Sequence, residues 1–138
     1  LNNLLNEMIR KGYLMEIKIL SLIPILPDKH GANWAAYNGH LTVLQWMKEN
    51  SLPLPNQFGA NWAAENGNFV VLQWMKENGL PLPNQNGANW AAGYGHFVVL
   101  QWMKENNLPL PDQQGVKSAI WNGYTSIVNW LASQSVSN

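Results

Sequence analysis

The chain has no cysteine, few charged residues and no long uninterrupted apolar run. Without cysteine it cannot form disulfide bonds, thiolate metal sites or a cysteine nucleophile, and this suits a reducing compartment, so we expect a cytoplasmic protein. The most apolar stretch, residues 13–27, contains Glu16, Lys18 and two prolines. It is shorter than the roughly 20 residues that span a bilayer, and the chain does not open with a signal peptide. We therefore expect no association with membranes.

The chain also lacks net charge, because eight basic residues balance eight acidic ones. A balanced chain has no overall field that would draw it onto phosphate backbones, so nucleic acid is not an expected partner. The composition is 46% hydrophobic and includes eight tryptophans, which is too apolar for a disordered segment. Residues 1–138 are therefore predicted to fold as a single domain.

Internal repetition dominates what is present. The sequence Gly-Ala-Asn-Trp-Ala-Ala begins at Gly31, Gly59 and Gly87, which are 28 residues apart, and a degenerate copy begins another 28 residues on at Gly115. A divergent copy around Gly12 precedes them. Repeats of this length stack side by side to form a solenoid. The predicted units are residues 1–29, 30–57, 58–85, 86–113 and 114–138.

Each unit is predicted to form two helices separated by a glycine turn. A residue whose side-chain oxygen can cap a helix follows a proline once per unit, at Asp28, Asn56, Asn84 and Asp112. The first helix should end at a glycine that adopts the left-handed conformation, at Gly39, Gly67, Gly95 and Gly123. The second helix, predicted over residues 97–106 in the third complete copy, is apolar on most sides and needs neighbours to cover it. The Leu-Pro-Leu-Pro segment that follows cannot continue a helix.

These units resemble ankyrin repeats. Residues 35–41 (AAYNGHL) carry the ankyrin Ala pair, two variable residues and Gly-His-Leu, and a similar run covers residues 91–100. Gly-Ala-Asn-Trp stands where ankyrin repeats of about 33 residues have Thr-Pro-Leu-His. The resemblance implies an all-α, ankyrin-like helix-turn-helix solenoid with shortened inter-repeat loops and without projecting β-hairpins. Similar short repeats with a tryptophan in the second helix occur in amoebal giant viruses, protists and intracellular bacteria, and this implies a location in the host cytoplasm.

The resemblance also implies a protein-protein interaction scaffold that binds another protein. Contact residues are expected where the nearly identical copies differ, because stacking fixes the residues of the core. In ankyrin proteins the loops and the first helices form the concave, binding side. The residues predicted on this basis are Tyr37, Phe58, Glu65, Asn86, Tyr94 and Gln114, of which Phe58, Asn86 and Gln114 are predicted to lie in the loop before the first helix. Drift between duplicated copies is the alternative explanation of these differences.

The tryptophans suggest an alternative function, a small-ligand or glycan binder that uses exposed indole faces. However, a residue repeated in every unit usually packs between units. We therefore predict that both repeated sets belong to the core. The first-helix set is Trp34, Trp62 and Trp90, and the second-helix set is Trp46, Trp74, Trp102 and Trp130.

Residue combinations that carry catalysis or bind metals do not stand out in the sequence. His40 and His96 occupy one repeat position, at which the intervening copy has Asn68. Because asparagine can take its place, the histidine is predicted to make a hydrogen bond at a turn rather than to bind a metal or transfer protons. The sequence therefore predicts a protein that is not an enzyme, with no catalytic residue, no cofactor and no metal site.

The two ends differ from the central copies. Residues 114–138 are predicted to be a capping repeat with a more polar outer face, with Ser118, Ser126 and Asn129 as its polar substitutions. Residues 1–29 are strongly apolar and fit either a cap or the edge of a longer array. The first residue is Leu1 rather than Met. We expect a monomer, or a piece of a longer repeat array.

Overall fold

The computed structural model describes residues 2–14 and 28–136, and within these residues the chain is all-helical, as predicted. From α2 onward the helices come in pairs, and each first helix begins 28 residues after the previous one. The apolar residues 15–27 lie outside the described part. None of the helices in the described part is long and apolar enough to cross a membrane. The helices are α1 (Asn2–Lys11), α2 (Lys29–Tyr37), α3 (Leu41–Glu49), α4 (Gln57–Glu65), α5 (Phe69–Glu77), α6 (Gln85–Gly93), α7 (Phe97–Glu105), α8 (Gln113–Trp121) and α9 (Thr125–Val136).

The predicted start and stop signals of the first helices are confirmed. The side chains of Asp28, Asn56, Asn84 and Asp112 each accept a hydrogen bond from a backbone N–H in the first turn of the following helix. The glycines after these helices have φ angles of 73°, 71°, 82° and 77°, a conformation that a side chain disfavours. These four glycines are Gly39, Gly67, Gly95 and Gly123. The second helix of the third complete copy ends at Glu105, with Asn106 as its C-cap.

A buried asparagine in α2 and in α4 links each of these helices to the next unit. Asn33, which is almost fully buried, donates a hydrogen bond from Nδ2 to Oδ1 of Asn56 and accepts one from the Asn56 backbone N–H, both at 3.0 Å. Asn61 repeats this pair of bonds with Asn84. A Cβ atom on Gly59 would lie 2.4 Å from Oδ1 of Asn33. The glycine of Gly-Ala-Asn therefore leaves room for the asparagine of the preceding unit.

The core consists of small residues along the first helices and large residues along the second helices. Ala60, Ala63 and Ala64 are fully buried, and consecutive first helices lie directly against one another. Leu72 and Met75 of α5 are fully buried as well, and the closest backbone packing of α5 is with its own first helix, α4. Because alanine permits closer packing than leucine, methionine or tryptophan, the first helices pack more closely against one another than the second helices do.

The two sets of tryptophans lie in different environments, so one of the two core predictions is wrong. Trp46, Trp74 and Trp102 of the second helices are only 6–9% exposed, which confirms their prediction, whereas Trp130 is half-buried against the core. Trp34 and Trp90 are each 37% exposed, and Trp62 is half-buried. Ala60, Ala63 and Ala64 of α4 face the core, which directs the indole of Trp62 to the opposite side of the helix.

The polar outer face predicted for the last unit is only partly present. Ser126 and Asn129 are exposed, as expected, but Ile120 and Trp121 of α8 are also exposed and apolar. Ile120 occupies the repeat position of Ala64, which is fully buried. The prediction was wrong for α8 because it considered the serines of the unit and not the helix face on which each residue lies.

Candidate binding surface

One side of every first helix is formed by the residues at its second, sixth and ninth positions. The sixth and ninth positions follow the second by four and seven residues, so all three lie on one face of an α-helix. We call this surface the first-helix face. Its members are Asn3, Glu7 and Arg10 on α1, His30, Trp34 and Tyr37 on α2, Phe58, Trp62 and Glu65 on α4, Asn86, Trp90 and Gly93 on α6, and Gln114, Ser118 and Trp121 on α8.

Most of the contact residues predicted from the sequence lie on this face, although their local structure differs in part. Phe58, Asn86 and Gln114 do not lie in a loop. Each is the second residue of its helix and donates its backbone N–H to the cap side chain at 2.9 Å. The sequence reasoning placed the helix start too late, after these residues rather than directly after the cap. Tyr37 and Glu65 close their helices on the same face, and Tyr94 is the C-cap of α6.

Aromatic rings cluster where the first-helix face crosses α2 and α4. The rings of Trp34 and Trp62 lie 5.2 Å apart between centroids and are tilted by 36°. Tyr37 packs edge-on against Trp34, with a centroid distance of 5.7 Å. Phe58, which lies on the same face of α4, is 63% exposed. An exposed group of rings of this kind is typical of surfaces that contact a ligand or another protein.

A cation from the preceding helix covers the outer part of this cluster. The guanidinium of Arg10 lies 5.9 Å from the centroid of the Trp34 ring, which is within the range of a cation–π contact. Arg10 Nε also donates to Oε2 of Glu7 at 3.0 Å, and Lys11 Nζ lies 3.6 Å from the same carboxylate. The hydrogen bond from Arg10 lowers the pKa of the Glu7 carboxyl below its ordinary value and raises that of Arg10. Trp34 thus has a guanidinium partner, and a carboxylate orients that guanidinium.

Further along the face, Glu65 has no such partner. Within residues 2–14 and 28–136 its side chain forms neither a hydrogen bond nor an ion pair. Glu65 stands two residues before Gly67, as Arg10 stands two residues before Gly12. On the next first helix, α6, the sixth position is Trp90, which is at the repeat position of Trp34. At this junction the face therefore carries a carboxylate and an exposed indole at the helix positions that Arg10 and Trp34 occupy in α1 and α2.

The repeated histidine position has a structural role, as predicted. His40 Nε2 donates to the backbone oxygen of Arg10 at 2.7 Å, and Asn68 Nδ2 donates to that of Ala36 at 2.9 Å. Both side chains therefore hold the end of the first helix in the preceding unit, rather than a turn of their own unit. No group of three His, Cys, Asp or Glu residues in the described ranges is arranged to hold a metal ion.

In comparisons with known proteins, no family model and no curated protein matches the chain.

Two features of the face were missed in the sequence. Trp34 and Trp90 were assigned to the core because they recur, although the signal for their exposure was present. Trp90 is four residues after Asn86, a position already predicted to be a surface position, and helical spacing puts the two on the same side. The contact of Arg10 with Trp34 was not foreseeable in the same way, because it depends on how α1 packs against α2.

Proposed function

We propose that this chain is a non-catalytic, ankyrin-type binding module that contacts another protein through its first-helix face. One observation supports this most strongly. Two of the positions at which the nearly identical copies differ, Phe58 against Asn86 and Tyr37 against Glu65, lie on the same face as the exposed tryptophans. The large side chains that are fully buried, in contrast, are the same in these copies, as Leu72 and Leu100 illustrate.

Exposed aromatic residues on a surface of variable composition are typical of protein interfaces. Tryptophan and tyrosine bring large contact areas with little conformational entropy to lose, and they are enriched among the residues that dominate binding energy. Because the first-helix face extends over several stacked units, it can also touch a partner at several units at once. The proposed partner is therefore a protein that lies across several first helices rather than nucleic acid or a membrane.

A pull-down from an amoebal lysate tests this proposal with a matched pair of double variants. Phe58→Ala with Trp90→Ala changes the first-helix face, and Val70→Ala with Val98→Ala changes the outer side of the second helices. The control is close because Val70 and Val98 are both 58% exposed. We expect the first variant to lose captured proteins that the second retains. Equal capture by both variants would contradict the proposal.

Glycan binding is a second candidate function, favoured by the 37% exposure of Trp34 and Trp90. Sugars stack on accessible indole faces, and the same pull-down separates the two functions. If the captured material survives protease digestion but not glycosidase treatment, the partner is a glycan. Loss on protease treatment alone supports a protein partner.

A further inference from the structure

At the junction between α1 and α2, a cation lies over the face of an indole ring. Arg10 of α1 lies over Trp34 of α2, and Glu7 accepts hydrogen bonds from the guanidinium of that arginine. Indole, guanidinium and carboxylate form a set in which each charged group has a partner. This is the geometry in which arginine binds most favourably, because its planar group stacks on a ring while its edge bonds to oxygen.

The junction between α4 and α6 contains two members of the same set. The indole of Trp90 is exposed at the position equivalent to Trp34, and Glu65 supplies a carboxylate at the position equivalent to Arg10. The equivalence of the junctions is visible in their packing, because His40 lies against Gly12 as His96 lies against Gly67. The third member, a cation, is missing among the described residues near Glu65.

We propose that Trp90 and Glu65 form a binding site for an arginine side chain of the partner protein. Its guanidinium would stack on the Trp90 ring and bond to the Glu65 carboxylate. The same three groups would then meet as at Arg10, with the carboxylate on the helix position that the arginine has in α1. Charge complementarity defines the occupant: the carboxylate requires a cation, and the flat indole favours a planar guanidinium over a compact ammonium. The site rests on the proposed function, of which it is a specific part.

The experiment titrates the full chain with three short peptides and follows the indole N–H signals by NMR. The peptides are acetyl-Gly-Arg-Gly-amide and its versions with lysine and with uncharged citrulline. The Trp90 signal is assigned with Trp90→Phe. We expect the arginine peptide to shift the Trp90 signal saturably, lysine to bind several-fold more weakly and citrulline to give no shift. The Trp34 signal should stay in place, because Arg10 already covers that ring.

Three variants of Glu65 make the test independent of folding. Glu65→Gln should weaken the arginine peptide by roughly fivefold, the upper range for an exposed ion pair. Glu65→Tyr restores the residue that the neighbouring unit carries as Tyr37, so it should fold and should also weaken binding. Glu65→Arg should close the site by seating its own guanidinium on Trp90. Equal shifts with citrulline, or no effect of Glu65→Gln in a folded chain, would overturn the proposal.

The outcome can be separated from that of the proposed function. If the peptide fails to bind while the face variant still loses its captured proteins, the arginine site is wrong and the binding module stands. If the peptide binds as expected while the face variant captures proteins normally, the arginine site stands as a local property and the proposed interface is wrong.

Discussion

The two tryptophan positions of the repeat are equally regular in sequence and opposite in environment. Trp102 on α7 is 6% exposed and packs edge-on against Phe69 of the preceding unit, at 6.3 Å between centroids. Trp90 on α6, in the same unit, is 37% exposed. The period of a repeat therefore shows which residues are equivalent, whereas the neighbours within each helix decide which residues are buried. Ala88, Ala91 and Ala92 occupy the buried side of the helix that carries Trp90.

The largest difference between the two tryptophan positions should appear in the free energy of unfolding. Trp102→Ala removes a buried ring and should lower the free energy of unfolding by about 3–5 kcal/mol. Trp90→Ala removes a ring that water already reaches and should cost only about 1 kcal/mol. Urea denaturation followed by circular dichroism measures both. Equal losses would show that the two positions are not separated into core and surface.

A second test addresses the links between first helices. Asn61→Ala removes two hydrogen bonds to Asn84 and leaves the backbone N–H of Asn84 without its acceptor. We expect a loss of about 2 kcal/mol in the free energy of unfolding. Asn86→Ala changes an exposed asparagine and serves as the control, with an expected change within about 0.5 kcal/mol. A similar cost for both would mean that the buried asparagines do not connect the units.

A smaller effect is expected at the position shared by histidine and asparagine. Asn68→His should change stability by less than about 0.5 kcal/mol, because either side chain can donate to the end of the preceding first helix. Asn68→Ala loses the donor and should cost about 1 kcal/mol. The two unfolding midpoints give the comparison. If the histidine variant is as unstable as the alanine variant, the two residues are not interchangeable at this position.

The smallest effect concerns the exposed ion pair at α1. Because the hydrogen bond from Arg10 lowers the pKa of Glu7 in the folded chain, this pair stabilises the fold above the unfolded pKa of about 4.3. The stabilisation is lost as the pH falls through the lower, folded pKa. An NMR titration of the Glu7 carboxyl should show a midpoint below the ordinary value, and Arg10→Gln should move it upward. An unchanged midpoint in the variant would contradict the pairing.

Much of the fold could be predicted from the sequence because its signals are local. Asn56 caps its helix by accepting a hydrogen bond from the backbone N–H of Phe58, only two residues further on. Gly67 can adopt the left-handed conformation because it has no side chain. The candidate surface could be predicted only in part. Differences between copies identified Phe58 and Glu65, but the exposure of Trp34 and the position of Arg10 above it depend on how neighbouring helices pack.

Hydroxyl-radical footprinting of the free chain tests the separation of core and contact surface most directly. Trp90 and Trp102 fall in one tryptic peptide, between Lys76 and Lys104, so their oxidation can be compared by fragmentation of the same species. We expect Trp90 to oxidise several-fold faster than Trp102, because the two side chains are 37% and 6% exposed. Equal rates, or faster oxidation of Trp102, would contradict this separation.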